Sequence, residues 1–329
     1  MARVPRKFHA AIVFFAALHV AIVANSAQAQ DSYPNRLIRW VVPYGTGTGA
    51  DILARLLGPM IAERWKVPVV VENRPGASAV IGHEYLSKSA PNGYTMGFSA
   101  TSFTANVPMV RTLPYDPMKS FDQVVLVATN ITSFCIANNV PAKTLADFMA
   151  LAKRNPGKMN FGSTGSGAPQ HMAMELFKLE ARIDLVAVPY KGSPGAISDL
   201  IAGHIQAMVL PLQTAAPHAR NGSIRMLAIM SAQRAPAFPD IPSMRELGFP
   251  SVDVDTWYGI FAPAGTPKEI IARWNGEVNG LLKLPEVRDA FDKQGLVPAG
   301  GAPERFTQLL REDLARWTRV VRETGIKAE

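Results

Sequence analysis

The sequence predicts an α/β fold with mostly parallel sheets, divided between two domains. Short β-rich runs alternate with helical patterns along most of the chain, as they do in α/β proteins. The chain has 329 residues, and the roughly 300 that would remain after removal of an export signal exceed what one core usually holds. No internal repeat or low-complexity tract is visible.

Eight short runs are predicted to be buried strands because they are apolar, rich in β-branched residues and bounded by turn residues. They are residues 37–42, 67–72, 94–99, 124–128, 159–162, 185–189, 206–210 and 225–230. A helix is predicted after the first run, where apolar residues recur at spacings of three and four. Thr144 and Asp147 form a capping-box pattern that opens another helix. Segments 267–282 and 303–325 are each long and amphipathic with no strand inside them, and we expect them to pack against a sheet.

The N-terminus resembles a secretory signal. Three basic residues, Arg3, Arg6 and Lys7, precede an apolar run over 10–24, and Ala27-Gln28-Ala29 fits a cleavage site. The run is shorter than the roughly 20 residues that span a membrane. We therefore expect residues 1–29 to be a signal peptide cleaved after Ala29, with an uncleaved N-terminal anchor as the alternative.

Composition excludes several classes of protein. Cys135 is the single cysteine, so an intramolecular disulfide is impossible and the fold must depend on a core. The net charge is +8, which becomes +5 once the three basic residues of the signal are subtracted. The basic residues are scattered, so no nucleic-acid partner is expected, whereas a modest positive field suits small anions.

A glycine-rich turn between the first strand and its helix predicts an anion site. Its sequence is VVPYGTGTGAD, over 41–51. Such a turn points backbone N–H groups at one place, and the helix N-terminus adds partial positive charge. A carboxylate or a phosphate would satisfy it, and a connection that binds nothing is the alternative. A dinucleotide site is disfavoured, because the glycines follow G-x-G-x-G rather than G-x-G-x-x-G, although Glu72 lies where a ribose-binding acid would.

A second turn, NFGSTGSGAPQH over 160–171, repeats this arrangement in the middle of the chain. Two facing turns, one from each domain, would clamp a small dicarboxylate in an inter-domain cleft. His171 could donate to a carboxylate, with a capping or solvent-side role as the alternative. No second histidine or carboxylate stands at a metal-ligand spacing from it, so we expect neither metal nor cofactor.

The joint occurrence of several motifs over the mature chain resembles the tripartite tricarboxylate transporter receptor family, the TctC or Bug solute-binding proteins. The motifs include VVPYGTGTGADILAR, VVVENRPGA, LAKRNPGKMNFGSTGSGAPQHMAMELF, VPYKGSPGAISDLIAGHIQAM and WYGIFAPAGTP. The resemblance implies a type II-like periplasmic binding protein fold, with two α/β lobes and a ligand cleft between them. Domain 1 would comprise 31–131 plus 257–329, and domain 2 would comprise 132–256.

By resemblance, the cleft holds a small carboxylate-bearing organic acid for a two-component membrane carrier, and the receptor is monomeric, periplasmic and not an enzyme. The implied ligand-binding residues come from both turns and two further loops. They are Tyr44, Gly45, Thr46, Gly47, Thr48, Gly49, Ala50, Thr101, Ser102, Thr164, Gly165, Ser166, Gly167, Ala168, His171 and Tyr190. For Tyr190, packing at a hinge is an equally supported interpretation.

Other residues carry further expectations. Leu210 and Pro211 stand where the family often has acidic or amide side chains, which favours an organic acid with an apolar body over an amino acid. Asp51 is expected to cap its helix, and Trp257 and Tyr258 are expected to pack rather than border the cleft. An exported hydrolase is the alternative from another class, although no G-x-S-x-G elbow is present.

Overall fold

The computed structural model describes residues 33–110, 112–163, 168–190 and 192–326, with Ser78 described by its backbone alone. The expected signal peptide and Thr164–Gly167 of the second turn lie outside the described residues. The strands are β1 Ile38–Val42, β2 Val69–Asn73, β3 Thr95–Ala100, β4 Phe121–Asn130, β5 Thr132–Ala137, β6 Asn160–Ser163, β7 Val186–Pro189, β8 Ala207–Pro211, β9 Ile224–Ile229, β10 Thr256–Pro263 and β11 Leu296–Pro298. The helices are α1 Gly49–Trp65, α2 Val80–Ser87, α3 Ser102–Ala105, α4 Leu145–Arg154, α5 Pro169–Ala181, α6 Ser193–Ala202, α7 Leu212–Arg220, α8 Lys268–Leu281, α9 Pro285–Lys293 and α10 Pro303–Thr324.

The strands form two sheets, one in each lobe. The first has six strands in the order β11-β4-β10-β3-β1-β2, and the second has five in the order β7-β6-β8-β5-β9. The chain passes from the first sheet to the second between β4 and β5, across Ile131, and returns between β9 and β10. The two crossing segments join the lobes side by side.

The expectation of mostly parallel sheets is wrong, because both sheets are mixed. β1 pairs in parallel with β2 and β3, and β6 pairs in parallel with β7 and β8. The strands that carry the chain between lobes run the other way, so β10 is antiparallel to β3 and β4, and β5 is antiparallel to β8 and β9. A strand that enters a sheet from the other lobe begins where the parallel strands end, and this reverses its direction.

Most predicted strands lie within a few residues of the observed ones, and the capping box is confirmed. The Asp147 N–H donates to Thr144 Oγ1 at 3.1 Å, and the Thr144 N–H donates to Asp147 Oδ2 at 3.0 Å. The prediction missed three strands, β5, β10 and β11, together with α9. The predicted 303–325 helix corresponds to α10.

Three hydrophobic clusters hold the fold. One fills the second lobe around β5, β8 and their helices, and the other two cover opposite faces of the first sheet. Helix α10 belongs to both lobes: Phe306 and Leu310 pack in a first-lobe cluster, whereas Trp317 and Val320 pack in the second-lobe cluster. In the described part of the chain, no helix is long and apolar enough to span a membrane.

Candidate functional site

The first turn connects β1 to α1 and is closed by its own side chains. Gly47 adopts φ of +82°, which favours glycine, and its N–H donates to Asp51 Oδ2 at 2.8 Å. Thr48 donates to the Gly45 carbonyl from its hydroxyl at 2.9 Å and from its N–H at 3.4 Å. The N–H groups of Gly47 and Thr48 are therefore used within the turn and do not point at a ligand, contrary to the expectation that all the turn amides would be free.

Asp51 holds this turn in place. Its buried carboxylate also accepts from Arg55 Nε at 2.9 Å and from Asn73 Nδ2 at 2.8 Å. Burial alone would raise the pKa of this carboxyl, but the donors from Gly47, Arg55 and Asn73 together lower it below its usual value. Arg55 compensates the negative charge, so Asp51 supports the start of the helix without repelling an anion beside it.

The first N–H groups of α1 remain available. Among the described residues, none accepts a hydrogen bond from the N–H of Gly49, Ala50 or Asp51, and α1 is 17 residues long. Its dipole adds partial positive charge at this end. The arrangement is suited to a carboxylate, which these backbone donors could bind with no charged side chain.

Tyr258 covers this helix start, although the sequence favoured a packing role for it. A Cβ built on Gly49 would lie 2.4 Å from Tyr258 Oη, so the ring occupies the space above Gly49. Burial and the nearby Tyr44 raise the pKa of Tyr258 to about 12, against a lowering effect of Asn130. The hydroxyl therefore stays protonated and can donate to an anion held at the helix N-terminus. Trp257, by contrast, is buried and donates from Nε1 to Asp313 at 2.6 Å, as a packing residue does.

The loop after β3 is tied to its surroundings. Thr101 is buried, and its Oγ1 accepts from the Trp257 N–H at 2.8 Å. The Tyr44 hydroxyl contacts Ser102 Oγ at 2.7 Å and accepts from the Ala100 N–H at 3.2 Å. The two predicted loop residues thus have partners within the first lobe.

A serine and a histidine do meet in the first lobe, but they cannot perform hydrolysis. His83 Nε2 lies 2.7 Å from Ser99 Oγ, and Tyr115 Oη lies 3.4 Å from His83 Nδ1. Ser99 is 1% exposed, so a substrate cannot reach it. Burial lowers the pKa of His83 to about 3, which leaves it too weak a base to activate a hydroxyl, and no carboxylate contacts it in the described part of the chain.

The second turn is described only at its two ends. The Ser163 carbonyl accepts from the Tyr190 N–H at 2.9 Å, and Ala168 precedes Pro169, the first residue of α5. His171 is buried, and its Nε2 lies 3.7 Å from Glu175 Oε1. Burial alone would raise the pKa of Glu175, but His171 and Lys178 together lower it.

The side chain of Tyr190 is held within the second lobe. Its hydroxyl donates to Asp199 Oδ2 at 2.6 Å, and its ring packs beside Gly195. Leu210 is 0% exposed in the second-lobe cluster. Its apolar character is therefore explained by the core and gives no information on the ligand, contrary to the sequence-based argument.

The helix that follows the second turn contacts the first lobe near the first turn. Helix α5, which follows the second turn, contacts α3, which begins at Ser102 beside the Tyr44 hydroxyl. Ala105, at the end of α3, packs in the second-lobe hydrophobic cluster. The elements that flank the second turn therefore lie against the loop that Tyr44 joins to the first turn.

A separate cavity of about 620 Å³ lies between the lobes beside the crossing segments. Asp253, Asp255, Arg305 and Glu312 are among its lining residues, and none of the predicted ligand-binding residues that the structure describes lines it. Cys135 is fully buried, which raises the pKa of its thiol to about 12 and leaves it unreactive. Among the described residues, no group of three or more His, Cys, Asp or Glu could hold a metal ion.

Comparison with known proteins agrees with this architecture. The profile of the tripartite tricarboxylate transporter family receptors matches residues 53–326. BugT of Bordetella pertussis is 34% identical over 300 residues, covering 90% of this chain and 92% of BugT. A protein of R. palustris solved with adipate is 30% identical, with a TM-score of 0.73 over 91% of this chain and 100% of that one.

MatC from Rhodopseudomonas palustris, solved with bound malate, is 29% identical, with a TM-score of 0.70 over 88% of this chain and 100% of MatC. The matched profile and the BugT similarity each extend over most of the chain. The chain therefore belongs to the tripartite tricarboxylate transporter receptor family, whose members are periplasmic solute-binding receptors and not enzymes.

Proposed function

We propose that this receptor closes its two lobes over one small organic carboxylate and delivers it, chemically unchanged, to a two-component membrane carrier. The observation that carries the proposal is the group of N–H donors of Gly49, Ala50 and Asp51 at the start of α1, for which the described part of the chain offers no acceptor. Tyr258 adds a protonated hydroxyl at the same place. Similar receptors solved with adipate and with malate support a carboxylate ligand.

The second turn would hold the other end of the ligand. Its residues Thr164–Gly167 with Ala168 supply further backbone N–H groups and hydroxyls, and His171 and Tyr190 flank it. In the first lobe, Gly49 and Ala50 would donate to the same ligand, the rest of the turn from Tyr44 to Thr48 would hold the helix start in place, and Thr101 and Ser102 would shape the wall. The ligand bridges the lobes only when they close, so binding shifts an open and closed equilibrium by the difference in its affinity for the two states.

The domain boundaries proposed for this motion fall at the crossing segments. Residues 31–131 and 257–329 would move as one body and residues 132–256 as the other, with the second half of α10, which packs in the second-lobe cluster, crossing the boundary. This division is supported by the Ile131 crossing and by the return of the chain into β10. We further propose that the protein is exported with cleavage after Ala29 and acts as a monomer, since each chain contributes both turns of its own site.

A thermal-shift screen of the mature protein tests this function. Mono-, di- and tricarboxylates, including adipate and malate, are added at increasing concentration after bound ligand has been removed by unfolding and refolding. A ligand at about a hundred times its dissociation constant adds about 2.7 kcal/mol to the free energy of unfolding. Saturable stabilisation by a carboxylate without its consumption is the expected result. Failure of every carboxylate to stabilise the protein, or turnover of matched esters, would contradict the proposal.

A further inference from the structure

The Tyr44 hydroxyl lies at the centre of a polar cluster in the first lobe. It contacts Ser99 Oγ at 3.0 Å and Ser102 Oγ at 2.7 Å, and it accepts from the Ala100 N–H at 3.2 Å. Ser99 is fixed in turn by His83, whose Nε2 lies 2.7 Å away. The phenolic oxygen of Tyr44 therefore takes up hydrogen bonds of the polar groups at the carboxyl end of β3.

The same residue also begins the first turn. The Tyr44 carbonyl accepts from Asn73 Nδ2 at 3.0 Å, and Asn73 Nδ2 also donates to Asp51 in the first turn of α1. Tyr44 thus connects two neighbouring sets of donors at this edge of the sheet. The α1 donors have no acceptor among the residues that the structure describes, whereas the β3 donors are already bonded to the Tyr44 side chain.

We propose that the Tyr44 hydroxyl is a specificity determinant that takes the place of a ligand oxygen, so that the first lobe accepts a carboxylate with no oxygen substituent on the adjacent carbon. This inference rests on the proposed function. It concerns the ligand class, and it replaces the argument from Leu210, which lies in the core.

The physical reason is loss of hydration without compensation. Tyr258, which pairs with Ala100 across β10 and β3, also covers Gly49, so a hydroxyl on the carbon next to a carboxylate held by the α1 N–H groups would face the loop after β3. The Ala100 N–H and the Ser102 hydroxyl, which such a substituent would meet there, are already bonded to the Tyr44 hydroxyl. The substituent leaves water and gains no partner, which weakens its binding. A carboxylate with an unsubstituted or apolar chain has no such hydroxyl and so loses no hydrogen bond to water there.

Tyr44→Phe should reverse this selection. It removes one oxygen, leaves the ring in place and frees the Ala100 N–H and the Ser102 hydroxyl for a ligand oxygen. Tyr94→Phe is the matched control, because the Tyr94 hydroxyl bonds Asn35 at 2.7 Å in front of the opposite end of β3.

Calorimetry measures the dissociation constants of pairs that differ by one 2-hydroxyl: succinate and malate, adipate and 2-hydroxyadipate, phenylacetate and mandelate. The wild type is expected to bind the unsubstituted member about tenfold more tightly, the effect of one unmatched polar group. In Tyr44→Phe the preference should fall by about tenfold or invert. Tyr94→Phe should keep the wild-type ratio.

The outcomes distinguish failure of the specificity role of Tyr44 from failure of the proposed function. A wild type that prefers the hydroxylated members, or a Tyr44→Phe variant with an unchanged ratio, overturns the specificity role and leaves carboxylate capture intact. A wild type that binds none of the six acids overturns the proposed function and the inference with it. If Tyr44→Phe does not fold, the wild-type ratios decide the matter alone.

Discussion

Tyr258 lies directly over Gly49, at the point where α1 begins. A Cβ on Gly49 would stand 2.4 Å from Tyr258 Oη and 2.8 Å from Cζ, which is closer than any such contact allows. The glycine is therefore required by the ring that covers it rather than by its own backbone angles. This contact brings a strand that returns from the second lobe against the proposed anion site.

Gly49→Ala is expected to displace Tyr258 and destabilise the protein by about 1–3 kcal/mol, as overpacking does. It should also weaken carboxylate binding. Chemical denaturation and calorimetry measure the two effects. Gly45→Ala is the control, because a Cβ there meets no atom within 4 Å. Equal stability of the two variants would contradict the contact, and a Gly49→Ala, Tyr258→Ala double variant should remove the clash.

Asp51→Asn is expected to loosen the first turn, because it weakens the bond with Arg55 and removes a charged acceptor from the Gly47 N–H. The carboxyl pKa is lowered in the folded state, so its contribution to stability is present above the unfolded value of 3.8 and is lost as the pH falls below it. The wild type should therefore exceed Asp51→Asn in free energy of unfolding at pH 7 and lose that advantage towards pH 3. A gap that stays constant over this range would contradict the assignment.

The pH dependence should be opposite at Asp255, beside the crossing segments. Burial, followed by the charge of Asp253, raises its pKa to about 8, although the Thr132 N–H donates to it at 3.3 Å. The folded state thus binds this proton more tightly than the unfolded chain. The stability it contributes is complete below pH 3.8 and is lost as the pH rises through 8.

Chemical denaturation at several pH values tests the direction of this pH dependence. Relative to Asp255→Asn, the wild type should lose free energy of unfolding steadily between about pH 4 and pH 8. Each unit by which the fold raises the pKa contributes about 1.4 kcal/mol to this loss, and solvent screening reduces the contribution. A wild type that gains stability over the variant as the pH rises would show that Asp255 is ionised in the fold.

Gly295 forms a contact across the lobes. A Cβ on this residue would stand 2.4 Å from Gln213 Cβ, and its φ is +65°. Gly295→Ala should therefore strain the backbone and also force the lobes apart, which should weaken ligand binding and increase the radius of gyration in X-ray scattering. Gly222→Ala is matched in backbone strain, with φ of +74°, but has no atom within 4 Å. It should lose stability without changing scattering or affinity, and identical behaviour of the two variants would contradict an inter-lobe contact.

The sequence predicted the apolar strands and the position of the turns better than it predicted their contacts. Runs such as β1 and β4 contain consecutive β-branched and apolar residues, whereas β5 begins with two hydroxyl residues and β10 contains a glycine, so their sequences do not mark them as strands although both are largely buried. The pattern of glycines could not reveal that the Gly47 N–H donates to the Asp51 carboxylate. A bond from a backbone N–H to a side chain four residues later depends on the backbone angles of the turn, which the sequence does not show. The WYGIFAPAGTP motif marked Tyr258, but not its contact with Gly49, since only the return of the chain from the second lobe brings the two residues together.

The central claim is that the first N–H groups of α1 bind the ligand carboxylate. Nitrogen-15 NMR of the labelled mature protein tests it most directly, by titration with the carboxylate that stabilises the protein most in the thermal screen. The amide protons of Gly49 and Ala50 should shift downfield and saturate with the calorimetric affinity, while those of Gly47 and Thr48, already bonded within the turn, should move less. Saturable binding that leaves the Gly49 and Ala50 amides unchanged would contradict the account.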